Sequence, residues 1–91
     1  MTNYNKGRAF EYKVKQLLEE RGFYVVRSAG SHGIVDLVAI GKEQVNLVQC
    51  KSDGRISPAD RDCLSSLTRL MIDLVPVLAV NEKGKVRFEI L

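Results

Sequence analysis

Two apolar segments stand close together in the middle of this sequence, 34-IVDLVAI-40 and 45-VNLVQCKS-52. The stretch between them, residues 41–44, has the length of a hairpin connection. Both segments are apolar at almost every position, as expected of strands that are covered on both faces of a sheet. They therefore predict two neighbouring strands at the centre of the domain.

The flanking sequence predicts the remaining elements. Apolar residues spaced as one helical stripe, followed by Gly22, predict a helix over residues 6–21. A strand is expected over residues 23–29 and a loop over Gly30–Gly33, and two further strands over 75–80 and 86–91. Ser57 and Pro58 are typical of a helix start, and the expected buried stripe of that helix is Leu64, Leu67, Met71 and Leu74. The prediction is an α/β fold of order αβββαββ, a central mixed sheet flanked by helices.

Composition limits the class of protein. The 91 residues favour a single domain, residues 1–91, and 45% hydrophobic residues argue against intrinsic disorder. A net charge of +3 is compatible with a phosphate-backbone partner without requiring one. Two cysteines, in no metal-ligand spacing, favour reduced thiols in an intracellular protein. No signal peptide is expected, and the longest apolar run contains Pro76 and is too short to span a membrane.

Polar residues interrupt the two central segments, and three of them are candidates for a functional site. Asp36 lies within the first; Gln49 and Lys51 are two apart in the second and share a face of the sheet, whereas Cys50 points to the other. A carboxylate, an amide oxygen and an ammonium group fit metal-assisted phosphodiester hydrolysis. Asp36, the Gln49 side chain and the Cys50 backbone carbonyl would be oxygen ligands of Mg²⁺. Lys51 would orient or deprotonate the attacking water and offset transition-state charge.

Each of these residues also has a structural interpretation. Asp36 could pair with Arg27 or Lys51 only to stabilise the fold, and Lys51 could extend from a strand end to solvent. Glu11 could supply a second carboxylate from the first helix, or form an exposed pair with Lys15. His32, in the glycine-bracketed loop, could contact substrate or transfer a proton, or be polar surface.

The same residues, in this order, resemble the PD-(D/E)XK nuclease superfamily, and most closely the archaeal-type Holliday junction resolvases. Lys6-Gly7 followed by Glu11 resembles the basic entry to the helix that bears a catalytic glutamate. The segments 25-VVRSAGS-31, 35-VDLVA-39 and 48-VQCK-51 resemble the serine-containing loop, the aspartate strand and the (D/E)-x-K strand.

The resemblance implies a restriction-endonuclease-like fold and a homodimeric endonuclease that cleaves four-way DNA junctions with Mg²⁺, for which Mn²⁺ would substitute. It implies catalytic roles for Ser31, Glu11, Asp36, Gln49 and Lys51, with Glu11 also near the metal. The residues expected to contact DNA are Lys6, Arg8, Arg27, His32 and Arg55. The expected location is the cytoplasm, that of a host cell if a virus or mobile element encodes the chain.

The sequence departs from the family pattern at two places. Gln49 stands where most resolvases have an acid, and this difference removes one negative charge from the metal site. Mrr-type restriction nucleases are similar to this chain in having Gln at that position. The second helix lacks aromatic residues, so Leu64, Leu67, Leu70 and Met71 would have to supply an apolar dimer surface. A repair or restriction-type nuclease, a catalytically silent junction-binding dimer and a structural partner protein therefore remain alternatives.

Overall fold

The computed structural model describes residues 3–28, 34–70 and 73–91, with the side chains of the first helix described from Gly7 onward. The helices are α1 (Asn3–Glu20) and α2 (Pro58–Leu67), and a 3₁₀ turn (Thr68–Leu70) follows α2. The strands are β1 (Tyr24–Arg27), β2 (Leu37–Ile40), β3 (Val45–Cys50), β4 (Leu74–Glu82) and β5 (Lys85–Ile90). This order confirms the predicted αβββαββ arrangement.

The five strands form one mixed sheet in the order β1-β2-β3-β4-β5. β3 and β4 are parallel, and the other neighbouring pairs are antiparallel. A parallel pair needs a crossover connection, and α2 lies in the segment that connects β3 to β4. The hairpin predicted between the two central segments is the antiparallel β2–β3 pair, with Leu37 opposite Val48.

Helix α1 covers one face of the sheet. Its buried stripe consists of Phe10, Val14 and Leu18, which pack against buried residues of β1 to β4. The helix ends before Gly22, whose φ of +94° is a left-handed conformation that glycine adopts without a steric penalty. The predicted stripe also contained Leu17, which is half-buried outside this cluster; its other three residues form the core as predicted.

Helix α2 begins as predicted and ends earlier than predicted. The Ser57 Oγ atom accepts a 3.1 Å hydrogen bond from the Asp60 N–H, and Pro58 follows in the first turn. Leu64 is fully buried, but the helix ends at Leu67 and Leu74 is the first residue of β4. The prediction that Leu74 belongs to the helical stripe was wrong, because an apolar residue at helical spacing can equally open a buried strand. Met71 lies outside the described residues.

Within the described ranges, neither helix combines the length and the apolar character needed to cross a membrane.

Candidate active site

Asp36 lies at a bend immediately before β2, and three hydrogen bonds fix it there. Its carbonyl accepts a 2.9 Å bond from the Ser28 N–H, and its own N–H donates to the Val48 carbonyl at 2.9 Å. Its carboxylate oxygen Oδ2 accepts a 2.8 Å bond from the Cys50 N–H. The sequence predicted a strand beginning at residue 34, but β2 begins at Leu37. From this bend the carboxylate reaches a backbone donor at the end of β3.

Gln49 and Lys51 flank that donor on β3. Cys50 packs against the core under α1, so the neighbouring Gln49 points to the other face, where its cross-strand partner is Leu78. Gln49 is only 6% exposed, and among the described residues its Oε1 atom is buried without a hydrogen-bond partner. A buried acceptor without a partner is unusual and costly, and a bound ion is one explanation of it. Lys51 is half-buried just beyond the strand end.

Glu11 enters the site from α1 and is paired with Arg27 of β1. Arg27 Nε donates to Glu11 Oε1 at 3.1 Å, and the two side chains are only 14% and 21% exposed, respectively. Lys15, the alternative partner considered for Glu11, instead bonds to Glu19 Oε2 at 2.9 Å. Glu11 is therefore held over the sheet rather than in a surface pair along the helix.

Tyr12 adds an aromatic contact that the sequence did not reveal. The Arg27 guanidinium lies 4.8 Å from the centre of the Tyr12 ring, and that of Arg8 lies 5.7 Å from it. The two-residue period of β1 puts Arg27 on the same face as the buried Val25, which is a signal that Arg27 meets α1. Nothing in the sequence marks Tyr12 as its stacking partner.

The two carboxylates lie in each other's electric field. Burial raises the pKa of Asp36, against the lowering effects of the Cys50 N–H and of the Lys51 and Arg27 charges. Burial and the charge of Asp36 raise the pKa of Glu11, and Arg27 lowers it. Burial, with the same two carboxylates, also raises the pKa of the Cys50 thiol, which therefore stays protonated and is unsuited to ligate a metal as thiolate.

The other predicted site residues are distributed as follows. Ser31 and His32 lie outside the described residues, and Lys6 lies in α1 with its side chain outside them. Arg55 is exposed in the loop after β3, where its N–H donates to Asp53 Oδ1 at 3.0 Å. Of the predicted set, the structure thus brings Glu11, Arg27 and Lys51 into electrostatic range of Asp36 at the end of β3.

The oxygen donors of the candidate site suit a hard cation such as Mg²⁺ better than Zn²⁺. No group of three or more His, Cys, Asp or Glu side chains in the described part of the chain is placed to hold a metal ion. Mg²⁺ usually binds through only one or two carboxylates and completes its shell with water and phosphate oxygens. Asp36 and Glu11 supply carboxylates of that kind. Gln49 Oε1, which has no partner among the described residues, is a further oxygen donor on the sheet face opposite α1.

Three comparisons relate this chain to known proteins. The family model described as archaeal Holliday junction resolvase (Hjc) matches residues 2–59. The crossover junction endodeoxyribonuclease Hjc of Methanocaldococcus jannaschii is 39% identical over 89 residues, covering 93% of this chain and 65% of that protein. A solved structure of Archaeoglobus fulgidus Hjc, a Holliday junction resolvase, has a similar fold, with a TM-score of 0.75 at 23% identity over 91% of this chain and 70% of that one.

The five-stranded mixed sheet and the motif residues on it are consistent with the PD-(D/E)XK class of nucleases. Within that class, the chain belongs to the archaeal Holliday junction resolvase (Hjc) family, because the family model matches more than half of it. The chain spans 65% of the length of its relative from Methanocaldococcus jannaschii.

Proposed function

We propose that this chain is a structure-selective DNA endonuclease that hydrolyses phosphodiester bonds in four-way junctions, with residues 1–91 as one nuclease domain. Membership of the resolvase family supports the substrate class. The observation that carries the chemistry is the 2.8 Å bond between the Cys50 N–H and Asp36 Oδ2, because it holds a carboxylate against the segment that contains Gln49 and Lys51.

The proposed cofactor is Mg²⁺, with Mn²⁺ as a substitute. Asp36 would be its anionic ligand, and Gln49 Oε1 and the Cys50 carbonyl its neutral protein ligands, with Glu11 as a second carboxylate. When bound, the ion would lower the pKa of a coordinated water and polarise the phosphoryl oxygen. The support for Gln49 is its buried amide oxygen, which has no hydrogen-bond partner among the described residues.

The remaining residues act on the water and on the phosphate. Lys51 would orient or deprotonate the attacking water and stabilise the extra negative charge of the transition state. Arg27 would keep the Glu11 carboxylate ionised and correctly turned, since it donates a hydrogen bond to it. Ser31, whose position in the chain falls between β1 and β2, is proposed to assist catalysis.

DNA contacts would be made through phosphates and shape rather than base edges, because no base-reading motif is present. Lys6, Arg8, His32 and Arg55 are the proposed contacts, together with Arg27. Arg55 is exposed, as a phosphate contact requires, whereas Arg27 is largely buried against Glu11 and Tyr12. Arg27 would therefore act on DNA only at the edge of the site.

We further propose a homodimer, since a junction must be cut on two strands and a chain this short has a thin core. The second helix offers less surface than its sequence suggested, because Leu64 is fully buried, although Leu70 is 76% exposed. A larger apolar surface lies on the sheet face opposite α1, where the exposed residues Tyr24 and Val26 of β1 pair with Ile40 and Val38 of β2. A second copy would cover this face.

The decisive experiment is incubation of the protein with a labelled four-way junction and Mg²⁺, alongside Lys51→Ala. The wild type should cleave the junction and the variant should bind it but cleave at least about 100-fold more slowly. A flap and a linear duplex of matching sequence are the substrate controls. Equal cleavage of all three substrates would contradict junction resolution and favour a repair or restriction-type activity. That activity is the nearest alternative, because Gln49 resembles the residue of Mrr-type nucleases.

A catalytically silent junction-binding dimer is the second candidate, because Gln49 reduces the charge of the metal site. Asp36→Ala distinguishes it from an enzyme. If the wild type binds junctions with no Mg²⁺-dependent cleavage for that substitution to remove, the binding function is correct. In either case the free thiols Cys50 and Cys63 and a DNA substrate suit the cytoplasm.

A further inference from the structure

A groove lies between α1 and the turn that joins β4 to β5, on the side of the helix away from Glu11. Its volume is about 470 Å³. Lys13 and Glu20 line it from α1, and Arg21 from the turn that follows the helix. Gly84 lines it from the β4–β5 turn, and Lys85 from the first position of β5. The proposed active site does not use any of these residues.

Positive charge predominates in the groove. Lys13, Arg21 and Lys85 face a single lining carboxylate, that of Glu20. Glu82 and Glu89 of the neighbouring strands share one cation, Arg87, so together they add one negative charge, and Glu82 is the cross-strand partner of Lys85. The cations that line the groove still outnumber the carboxylates. The groove therefore carries an excess of positive charge that matches an anionic ligand.

The walls of the groove are fixed before any ligand arrives. Lys13 Nζ donates to the Gly84 carbonyl at 2.6 Å, which ties the turn to the helix. An ammonium group has three donors, so two remain for a ligand. Lys83 and Gly84 have φ values of +53° and +85°, as in the two-residue hairpin turns whose twist matches that of the strands. The Arg21 guanidinium lies 5.2 Å from the centre of the Phe88 ring.

The position of the groove relative to Glu11 suits an extended polyanion. Lys13 follows Glu11 by two residues, so the two side chains project from nearly opposite sides of α1. A helix with its side chains is about 10–12 Å across. The major groove of B-DNA is about 12 Å wide, so the two backbones that border it are separated by a similar distance. One duplex lying across α1 would present phosphates to both sides of the helix.

We propose that this groove binds the DNA phosphate backbone of one arm of the substrate, away from the bond that is cleaved. The inference rests on the proposed function, in that DNA is the substrate, and adds a second contact surface to it. Lys13, Arg21 and Lys85 donate to phosphate oxygens, and their contacts are independent of base sequence.

The test measures binding of a labelled four-way junction in EDTA over a range of NaCl concentrations, for Lys85→Gln, Arg21→Gln and the double variant. Removing one phosphate-binding cation should reduce the steepness of the plot of log K against log salt by about 1, and removing both should reduce it by about 2. Arg69→Gln is the matched control, because Arg69 is also exposed but lies in the 3₁₀ turn after α2. It should leave the slope unchanged.

The outcomes separate this inference from the proposed function. An unchanged slope in the Lys85→Gln variant, or an equal decrease in Arg69→Gln, overturns the proposal that the groove binds DNA, even if the wild type cleaves junctions. If the groove substitutions lower the salt slope but the wild type shows no Mg²⁺-dependent cleavage, DNA binding in the groove is supported and the proposed catalytic activity is wrong. Absence of any DNA binding by the wild type overturns both. If Arg21→Gln does not fold, because glutamine cannot stack on Phe88 as the guanidinium does, the exposed Lys85→Gln decides alone.

Discussion

Arg27 Nε lies 3.1 Å from Glu11 Oε1, and the same guanidinium lies 4.8 Å from the centre of the Tyr12 ring. A planar group thus connects β1 to two consecutive residues of α1. Because Arg27 is 14% exposed, the pair is screened less by water than a surface pair would be. Arg27 therefore acts as a positioning residue for the Glu11 carboxylate.

Replacing Arg27 tests this role. Arg27→Met keeps the apolar stem but leaves Glu11 unpaired in a half-buried site, which should lower the free energy of unfolding by about 1–3 kcal/mol. It also removes an influence that lowers the pKa of Glu11. The acid limb of the pH–rate profile for junction cleavage should therefore move to higher pH. Chemical denaturation and a pH series measure the two effects.

Arg87→Met is the matched control, because Arg87 pairs with Glu82 and Glu89 at about half exposure. Exposed pairs contribute about 0–1 kcal/mol, so this variant should be nearly as stable as the wild type and keep its pH profile. Equal losses of stability in the two variants would contradict the special position of Arg27.

Asp36→Asn should stabilise the metal-free protein at neutral pH while abolishing cleavage. The folded pKa of Asp36 is raised above its ordinary value, so the folded protein binds the proton more tightly than the unfolded chain. The free energy of unfolding therefore falls as pH rises from the ordinary value through the folded pKa. Asparagine keeps an acceptor for the Cys50 N–H and carries no charge, so the pH-dependent loss of stability should diminish.

Thermal unfolding at pH 4 and pH 7, with and without Mg²⁺, measures this. Mg²⁺ should raise the midpoint of the wild type, because it binds only the folded site, and should have little effect on the variant. A variant that is less stable than the wild type at pH 7 would contradict the cost assigned to the Asp36 charge.

Replacement of glycine by alanine is expected to have opposite effects on stability at two positions. A Cβ atom at Gly41 would lie 2.8 Å from Cε1 of Phe23 and 3.2 Å from the Gln44 carbonyl oxygen. Gly41→Ala should therefore destabilise the fold by about 1–3 kcal/mol. At Gly7, within α1, no atom of the described residues lies within 4 Å of the added atom, and Gly7→Ala should stabilise the helix by about 0.5–1 kcal/mol. Denaturant titration of both variants provides the comparison, and destabilisation by Gly7→Ala would show that the added methyl group meets a neighbour.

The sequence predicted the order of the elements because their signals are local. The stripe of α1 and the Ser57-Pro58 start of α2 are defined within a few residues, and both form as predicted. The errors occur where tertiary contacts override the pattern. β2 begins at Leu37, after the bend at Asp36 whose carboxylate accepts from the Cys50 N–H, and Leu74 extends the sheet rather than α2.

In the candidate site, strand alternation predicted which face of the sheet a residue occupies. The alternation of β3 separates Cys50 from Gln49 and Lys51, and the structure assigns Cys50 to the core under α1. The partner of Glu11 could not be predicted in the same way. Lys15 and Arg27 are both within reach on pattern alone, and only the rotation of α1 against the sheet selects Arg27. Periodicity specifies the face that a residue occupies and not the side chain that it meets there.

Gln49 offers the sharpest test of the metal site. Gln49→Leu removes a buried acceptor that has no partner among the described residues, and replaces it with an apolar side chain that is one atom shorter. The free energy of unfolding in EDTA should therefore rise by about 1–2 kcal/mol. Cleavage should be abolished, because the substitution also removes a neutral oxygen ligand. Gln49→Glu should act in the opposite sense and lower the Mg²⁺ concentration needed for half-maximal cleavage, since it adds a negative charge to the ligand set.

In EDTA, Gln49→Glu should be less stable than the wild type at neutral pH, because the new carboxylate would be buried without a partner. Denaturation in EDTA and cleavage over a range of Mg²⁺ concentrations separate the two effects. If Gln49→Leu still cleaves junctions at the wild-type rate, the amide oxygen is not a ligand. Its burial without a partner would then be a cost to the fold that the chemistry does not explain.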